Sequence, residues 1–302
     1  MERDWSRRDL LRRAATVGLV TLAGPTALAA CTQVPDPGPA GGSTLERARA
    51  AGTISVGIAN EAPYGFTDAG GTVTGESVEV ARAVLGKLGI PQIDAVTVEF
   101  GELIAGLTLS RQFDMVTAGM FITPERCAAA AFSAPDYTAP TAFLVPQGNP
   151  AGVATFDQVR DQGLTVAVLS GAVEQGYATD SGVAESAIQV LGDQNALLQA
   201  VTTGRADCAA LTNISLNDVV SRNPGAGVEV TAGFFPMIDG EEIVSAGGFV
   251  FRSGEDDILE AFNTELVALQ QSGEWLTTAE PFGFTVDNLP GPGITTERLC
   301  AG

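Results

Sequence analysis

Hydrophobic positions along this chain switch repeatedly between two periods. From Thr53 to Ile58 the residues alternate and include β-branched side chains, as a half-buried strand requires. From Ser77 to Leu88 the apolar residues Val80, Val84 and Leu88 recur at helical spacing, and Gly89 stops the run. The same switch follows as a strand over 93–100, a helix over 103–109 and a short buried strand over 115–118. A short amphipathic helix over 44–51, stopped by Gly52, precedes this set, and a small hairpin is expected around Gly70 and Gly71. A second set begins with a strand over 141–145 and a helix over 156–162. It continues as strand 165–169, a helix from Val173, strand 188–191, helix 193–202 and strand 208–211. An extended segment over 243–251 and a long helix over 256–272, stopped by Gly273, complete the pattern.

Alternating strands and helices predict an α/β chain with mostly parallel sheets and crossover helices. In such sheets ligands bind beyond the carboxyl ends of the strands. The loops 60–65 and 119–126 each follow a strand, so both are expected at one cleft. The strand-like segments 141–145 and 245–251 bracket the second set and are expected to cross between two lobes. The first lobe would then hold residues 44–142 and 247–302, and the second residues 143–246. A cleft between lobes is a usual place for a small-molecule site.

The N-terminus adds a destination. Arg3, Arg7, Arg8, Arg12 and Arg13 form a basic head, and an apolar run over 14–30 ends in small residues. This is a secretory signal layout, too short for a comfortable membrane span. Ser6-Arg7-Arg8-Asp9-Leu10-Leu11 is similar to a twin-arginine export signal. Leu28-Ala29-Ala30-Cys31 resembles a bacterial lipobox, which implies that Cys31 becomes the lipidated first residue. Residues 31–43, rich in Pro and Gly, read as a flexible tether. The expected product is an exported chain, held to the membrane only by its N-terminal lipid.

Composition narrows the chemistry. The formal charge is −20, and removal of the basic head makes the rest more acidic still, so nucleic acid is not an expected partner. The chain has no histidine, the commonest general base and metal ligand, and no cofactor or metal is implied. Beyond Cys31 stand Cys127, Cys208 and Cys300, none in the close spacing of a metal or redox pair. An exported chain permits a disulfide. Connectivity cannot be read from sequence; Cys127 with Cys300 is the working expectation, with Cys208 a buried thiol in a strand.

Four segments carry a family resemblance: Gly57–Phe66 (GIANEAPYGF), Gly75–Ala81 (GESVEVA), Gly119–Arg126 (GMFITPER) and Ala131–Tyr137 (AFSAPDY). With Gly273-Glu274-Trp275, they resemble the amino-acid-type solute-binding proteins of ABC importers over essentially all of 44–300. Within that family the similarity is greatest to ectoine- and hydroxyectoine-binding subunits. The resemblance implies a type II periplasmic-binding-protein fold: two lobes joined by two hinge strands, closing on a ligand by hinge bending. It also implies a monomer that delivers its ligand to permease subunits.

The resemblance implies roles residue by residue. Arg126 clamps the ligand carboxylate, for which a guanidinium offers a planar two-pronged donor. Thr123 would offer a hydroxyl and backbone N–H to the same carboxylate, or simply cap the helix that opens at Pro124. Phe121 stacks on a flat or cationic ligand. Glu61 faces the cation, and Tyr64 or Phe66 walls it. Gly171, Ala172 and Val173 follow Ser170 at a helix start and would give backbone donors only, where the family commonly has hydroxyl residues. Thr212 stands where amino-acid binders usually place an aspartate for the α-ammonium, with Asn213 beside it. Without that carboxylate a buried primary ammonium lacks its partner, which favours a ligand without one. A further aromatic wall is expected near Gly101, and its absence leaves Phe100 as the substitute.

The expected function is capture of a small zwitterionic compatible solute. Other readings are a polar amino-acid-binding protein of the same transporter class, a same-fold periplasmic dehydratase, and a sensory module docking on a membrane receptor. The lack of histidine and the apolar Phe121 count against the enzyme, and the lipobox against the sensor.

Overall fold

The computed structural model describes residues 42–238 and 240–301. The export signal over 1–30, the lipidation residue Cys31 and the tether up to residue 41 lie outside the described residues. No helix among the described residues is long and apolar enough to cross a membrane.

Helix α1 (Thr44–Ala51) opens with a capping box, in which the Ser43 hydroxyl and the Glu46 carboxylate satisfy each other's backbone N–H. It ends at Gly52, whose left-handed backbone turns the chain into β1 (Thr53–Ile58). The hairpin of β2 (Phe66–Thr67) and β3 (Val73–Thr74) leads to α2 (Glu76–Lys87), β4 (Gln92–Thr97), α3 (Leu103–Thr108), β5 (Met115–Phe121) and α4 (Pro124–Ala129). Three strands follow: β6 (Ala131–Phe132), β7 (Tyr137–Thr138) and β8 (Thr141–Pro146). The second alternating set is α5 (Phe156–Gln162), β9 (Val166–Leu169), α6 (Val173–Asp180), β10 (Ile188–Leu191), α7 (Gln194–Thr202), β11 (Cys208–Thr212), α8 (Asn213–Arg222) and β12 (Val228–Val230). A hairpin, β13 (Met237–Ile238) with β14 (Glu241–Glu242), precedes β15 (Ala246–Phe251), α9 (Asp256–Ser272), α10 (Glu274–Ala279) and α11 (Thr296–Ala301).

These strands form two main sheets with the same internal winding. The first runs β4-β1-β5-β15-β6, with β7 also on β15; the second runs β10-β9-β11-β8-β12. In each, three strands are parallel and the next is antiparallel. The parallel core expected from the alternation is therefore three strands wide per sheet. The antiparallel members, β15 and β8, are strands adjoining the passages between sheets, so they run against the βαβ units.

Those passages are shorter than the sequence suggests. β8 lies wholly in the second sheet and β15 wholly in the first, rather than spanning both. The chain leaves the first sheet after Thr138 and enters the second at Thr141. It returns just ahead of Ala246, where Ala139 N–H donates to the Ser245 carbonyl between the two crossings. Strand β5 is longer than expected because β15 pairs with its end, Gly247 opposite Phe121. β4 is shorter than expected: Phe100 is apolar because it is buried in a short 3-10 turn, not because the strand continues.

Cores form on the sheet faces. Phe249 packs on Phe262 of α9 at 4.7 Å, and the fully buried Trp275 of α10 donates to Asp136 at 2.7 Å. Cys127 of α4 is bonded to Cys300 of α11, with Cα atoms 5.6 Å apart, while Cys208 is a free, buried thiol in β11. The bond closes 173 residues of chain and holds the short helix that carries Arg126. Closing a loop of that size stabilises by about 5 kcal/mol in the chain-entropy account. The double variant C127S/C300S is expected to melt about 10 °C lower by calorimetry; an unchanged melting temperature would contradict this role.

Candidate ligand-binding site

The carboxyl ends of the parallel strands in both sheets face one another, and a small cavity lies between them. Every charged or hydroxyl group on its wall comes from a segment just beyond a strand: Glu61 and Tyr64 after β1, Arg126 after β5, Glu174 after β9, Thr212 at the end of β11. Phe100, Phe121, Ala172 and Val173 add apolar wall.

The lobes are closed on this cavity. Tyr64 Oη and Thr212 Oγ1 share a hydrogen bond of 2.8 Å across it. Ser215 Oγ donates to Glu61 Oε1 at 2.9 Å, and Gln194 Nε2 donates to the Ala62 carbonyl at 2.7 Å and also to Ser215 Oγ. Tyr177 Oη meets Ser245 Oγ at 2.8 Å near the crossing. At the cavity mouth Arg126 Nη2 donates to the Gly171 carbonyl at 2.8 Å, while Nη1 donates to its own lobe at the Phe121 carbonyl, 2.6 Å away. The guanidinium carbon lies 5.5 Å from the centre of the Phe100 ring, a cation–π contact that orients it.

Local sequence explains how each group is held. Thr123 caps α4, its hydroxyl accepting from Arg126 N–H, and Pro124 supplies the first helical residue. Tyr64 stacks on Tyr137 with centroids 5.3 Å apart, and Phe121 leans on the same ring at 6.0 Å. Glu174 stands in the first turn of α6, where the helix dipole favours a carboxylate. Thr212 caps α8, accepting from Ser215 N–H.

The electrostatics are those of enclosed carboxyls. Burial pushes Glu61 up to about 8, with the Ser215 hydrogen bond opposing and the Glu174 charge adding to the rise. Burial pushes Glu174 up to about 7, against its own backbone N–H, the Arg126 charge and Thr141. Among the described residues neither carboxyl is within ion-pair distance of a cation. Two buried carboxyls without an ion-pair partner and one guanidinium thus line the same cavity.

Of the residues singled out from sequence, the structure brings Glu61, Tyr64, Phe121, Arg126, Ala172, Val173 and Thr212 to this cavity. Four do not line it. Phe66, in β2, and Asn213, the first residue of α8, line a separate groove; Tyr64 is the aromatic wall. Thr123 spends its hydroxyl on the helix cap and lines the outer mouth instead. Gly171 also sits at the mouth, where its carbonyl holds Arg126.

Glu174 and the helix behind Thr212 escaped the sequence reading. The second lobe does supply a carboxylate, three residues beyond Gly171 rather than at the end of β11, so the argument from Thr212 against a primary ammonium loses its basis. Helix α8 was legible in the spacing of Leu216, Val219 and Val220 after a Thr212 cap. A Cβ on Gly101 would meet Ser170 and Gly171 only at 3.5–3.6 Å, so the close approach at the mouth depends on Gly171 and not on residue 101. A Cβ on Gly171, which has φ +75°, would lie 2.5 Å from Gly101 Cα, so two glycine backbones meet where the lobes close.

A family model, bacterial extracellular solute-binding proteins, family 3, matches residues 54–285. A probable amino-acid ABC transporter periplasmic-binding protein, y4tE, of Sinorhizobium fredii is 35% identical over 87% of each chain. The crystal structure of EhuB in complex with hydroxyectoine superposes with a TM-score of 0.77 at 33% identity, covering 86% of this chain and 99% of that one. An ancestral arginine-binding protein bound to arginine superposes at 0.68 with 28% identity, covering 77% and 99%.

Substituting Gly171→Ala is expected to hold the lobes apart, because the new methyl needs the space of Gly101. Amide hydrogen exchange around residues 101–103 and 171–175 should quicken while the sheets keep their protection. Unchanged exchange at both segments would show that the glycine contact is not required for closure.

Proposed function

The chain belongs to the bacterial extracellular solute-binding proteins, family 3, and from that premise we propose that its ligand is a small carboxylate with a cationic head, of the ectoine and hydroxyectoine kind. The role is that of a solute-binding protein of an amino-acid-type ABC importer, and the family is one of transport rather than catalysis. The observation that carries the ligand class is the cavity itself. It sets Arg126 for a carboxylate, carboxyls for a cation, and Tyr64 and Phe121 as flat walls. The similarity to EhuB, solved with hydroxyectoine, supports the same class.

In this reading the two lobes open about the crossings near residues 139–140 and 243–245. Closure on the ligand makes the Tyr64–Thr212 and Ser215–Glu61 hydrogen bonds and presents a shape that permease subunits recognise. The protein acts as a monomer, exported by its N-terminal signal and anchored through a lipid on Cys31. A second reading is a polar or basic amino acid as ligand. Glu174 in the second lobe favours it, as does the similarity to a protein solved with arginine.

A thermal-shift panel of ectoine, hydroxyectoine, betaines and the standard amino acids separates these readings, since a ligand of the folded state raises the melting temperature. Ectoines are expected to give the rise, and Arg126→Ala to abolish it. A rise with amino acids alone would move the ligand to the second reading, and no rise with any compound would overturn the binding function.

A further inference from the structure

Glu174 is 1% exposed, lines the cavity, and has as its side-chain partner only the Thr141 hydroxyl, at 3.5 Å, among the described residues. The other titratable groups that act on it or feel its charge are Arg126 from α4, Glu61 from the loop after β1, and Tyr177 on its own helix. A carboxyl so enclosed and so weakly partnered is costly to bury unless something else meets it. Glu61 reaches the same cavity from the opposite lobe. With both carboxylates and Arg126 ionised, the walls carry two negative charges and one positive, and a cationic group between the carboxylates is attracted to both.

Resting on the solute-binding reading above, we propose that Glu174 is a specificity-determining residue which, with Glu61, grips one ligand cation from both lobes. A cation held by two carboxylates on opposite sides needs N–H donors on two sides. Against the aromatic side chains of Tyr64 and Phe121 that line the cavity, a flat one fits best. The ligand class is therefore a small carboxylate bearing a planar N–H cation, an amidinium or guanidinium. Quaternary ammonium solutes, which are cationic but have no N–H, are disfavoured, since each carboxylate would keep only its one hydroxyl donor, Ser215 for Glu61 and Thr141 for Glu174, and gain none from the ligand. Because the grip joins the lobes, Glu174 also links recognition of the cation to closure.

The test is calorimetric titration of the full chain with ectoine, L-arginine, glycine betaine and proline betaine, alongside Glu174→Gln and Glu174→Asp. The wild type is expected to bind ectoine or L-arginine at least tenfold more tightly than either betaine. Glu174→Gln should weaken that ligand at least tenfold, and Glu174→Asp, which keeps the charge, should weaken it less. Thermal melts within a few degrees of wild type would show that the variants fold. If Glu174→Gln binds within threefold of wild type, if both variants lose equally, or if a betaine binds best, the assignment of Glu174 is overturned while the solute-binding function stands. If none of the four compounds binds the wild type, both the assignment and the ligand class it rests on are wrong.

Discussion

Enclosing charge between two lobes is the constraint on which the rest of this structure depends. Two carboxyls and one guanidinium meet in a space too small for bulk water, and burial raises both Glu61 and Glu174 far above ordinary carboxylates. Such a site is poorly satisfied by protein groups alone and well satisfied by a ligand of opposite pattern. Binding energy is thereby concentrated in the closed state, which is what a receptor that signals occupancy by its shape requires. The neutral contacts across the cleft, Tyr64 to Thr212 and Gln194 to Ala62, set the register of closure.

The scaffold serves that constraint in a direct way. Repeating the same three-stranded parallel unit in both sheets points two sets of carboxyl ends at each other. Each polar wall group then needs only a few residues of loop beyond a strand to reach the centre. Arg126 has the longest lever, and it is fixed three times over: by the Thr123 cap, by two backbone carbonyls, and by the disulfide at the adjacent Cys127. Gly171 allows the backbones at the mouth to approach closely enough for its carbonyl to take the guanidinium.

Much of this was legible in the chain. Period changes located most of the longer strands and helices, because an α/β core enforces them on the elements it buries, although α8 was missed. The Thr123-Pro124-Glu125-Arg126 segment pointed to Arg126 as a cavity residue because a cap, a first-turn proline and a guanidinium form one local unit. Legibility failed where long-range packing decides. Tyr64 and Phe66 are both aromatic and two residues apart, and only the turn back from Glu61 to Gly65 determines which one faces the cavity. Glu174 has no local mark, since a glutamate in the first turn of a helix is ordinary on a surface, and only the fold buries it. Short strands such as β6, β7 and β12 are set by their partners and not by their own sequence.

The central claim, that closure is governed by the charge on Glu61 and Glu174, is tested most directly by small-angle scattering of the ligand-free protein against pH. In open lobes both carboxyls titrate near ~4.3, while in the closed cleft they titrate at about 8 and about 7. Groups raised in the closed state favour it fully below the open value, and this contribution is lost as pH rises through the closed values. The radius of gyration should therefore be smaller at pH 5 than at pH 8.5, and the dependence should vanish in the variant E61Q/E174Q. An equal radius at the two pH values, or a dependence that survives the double substitution, would contradict the account.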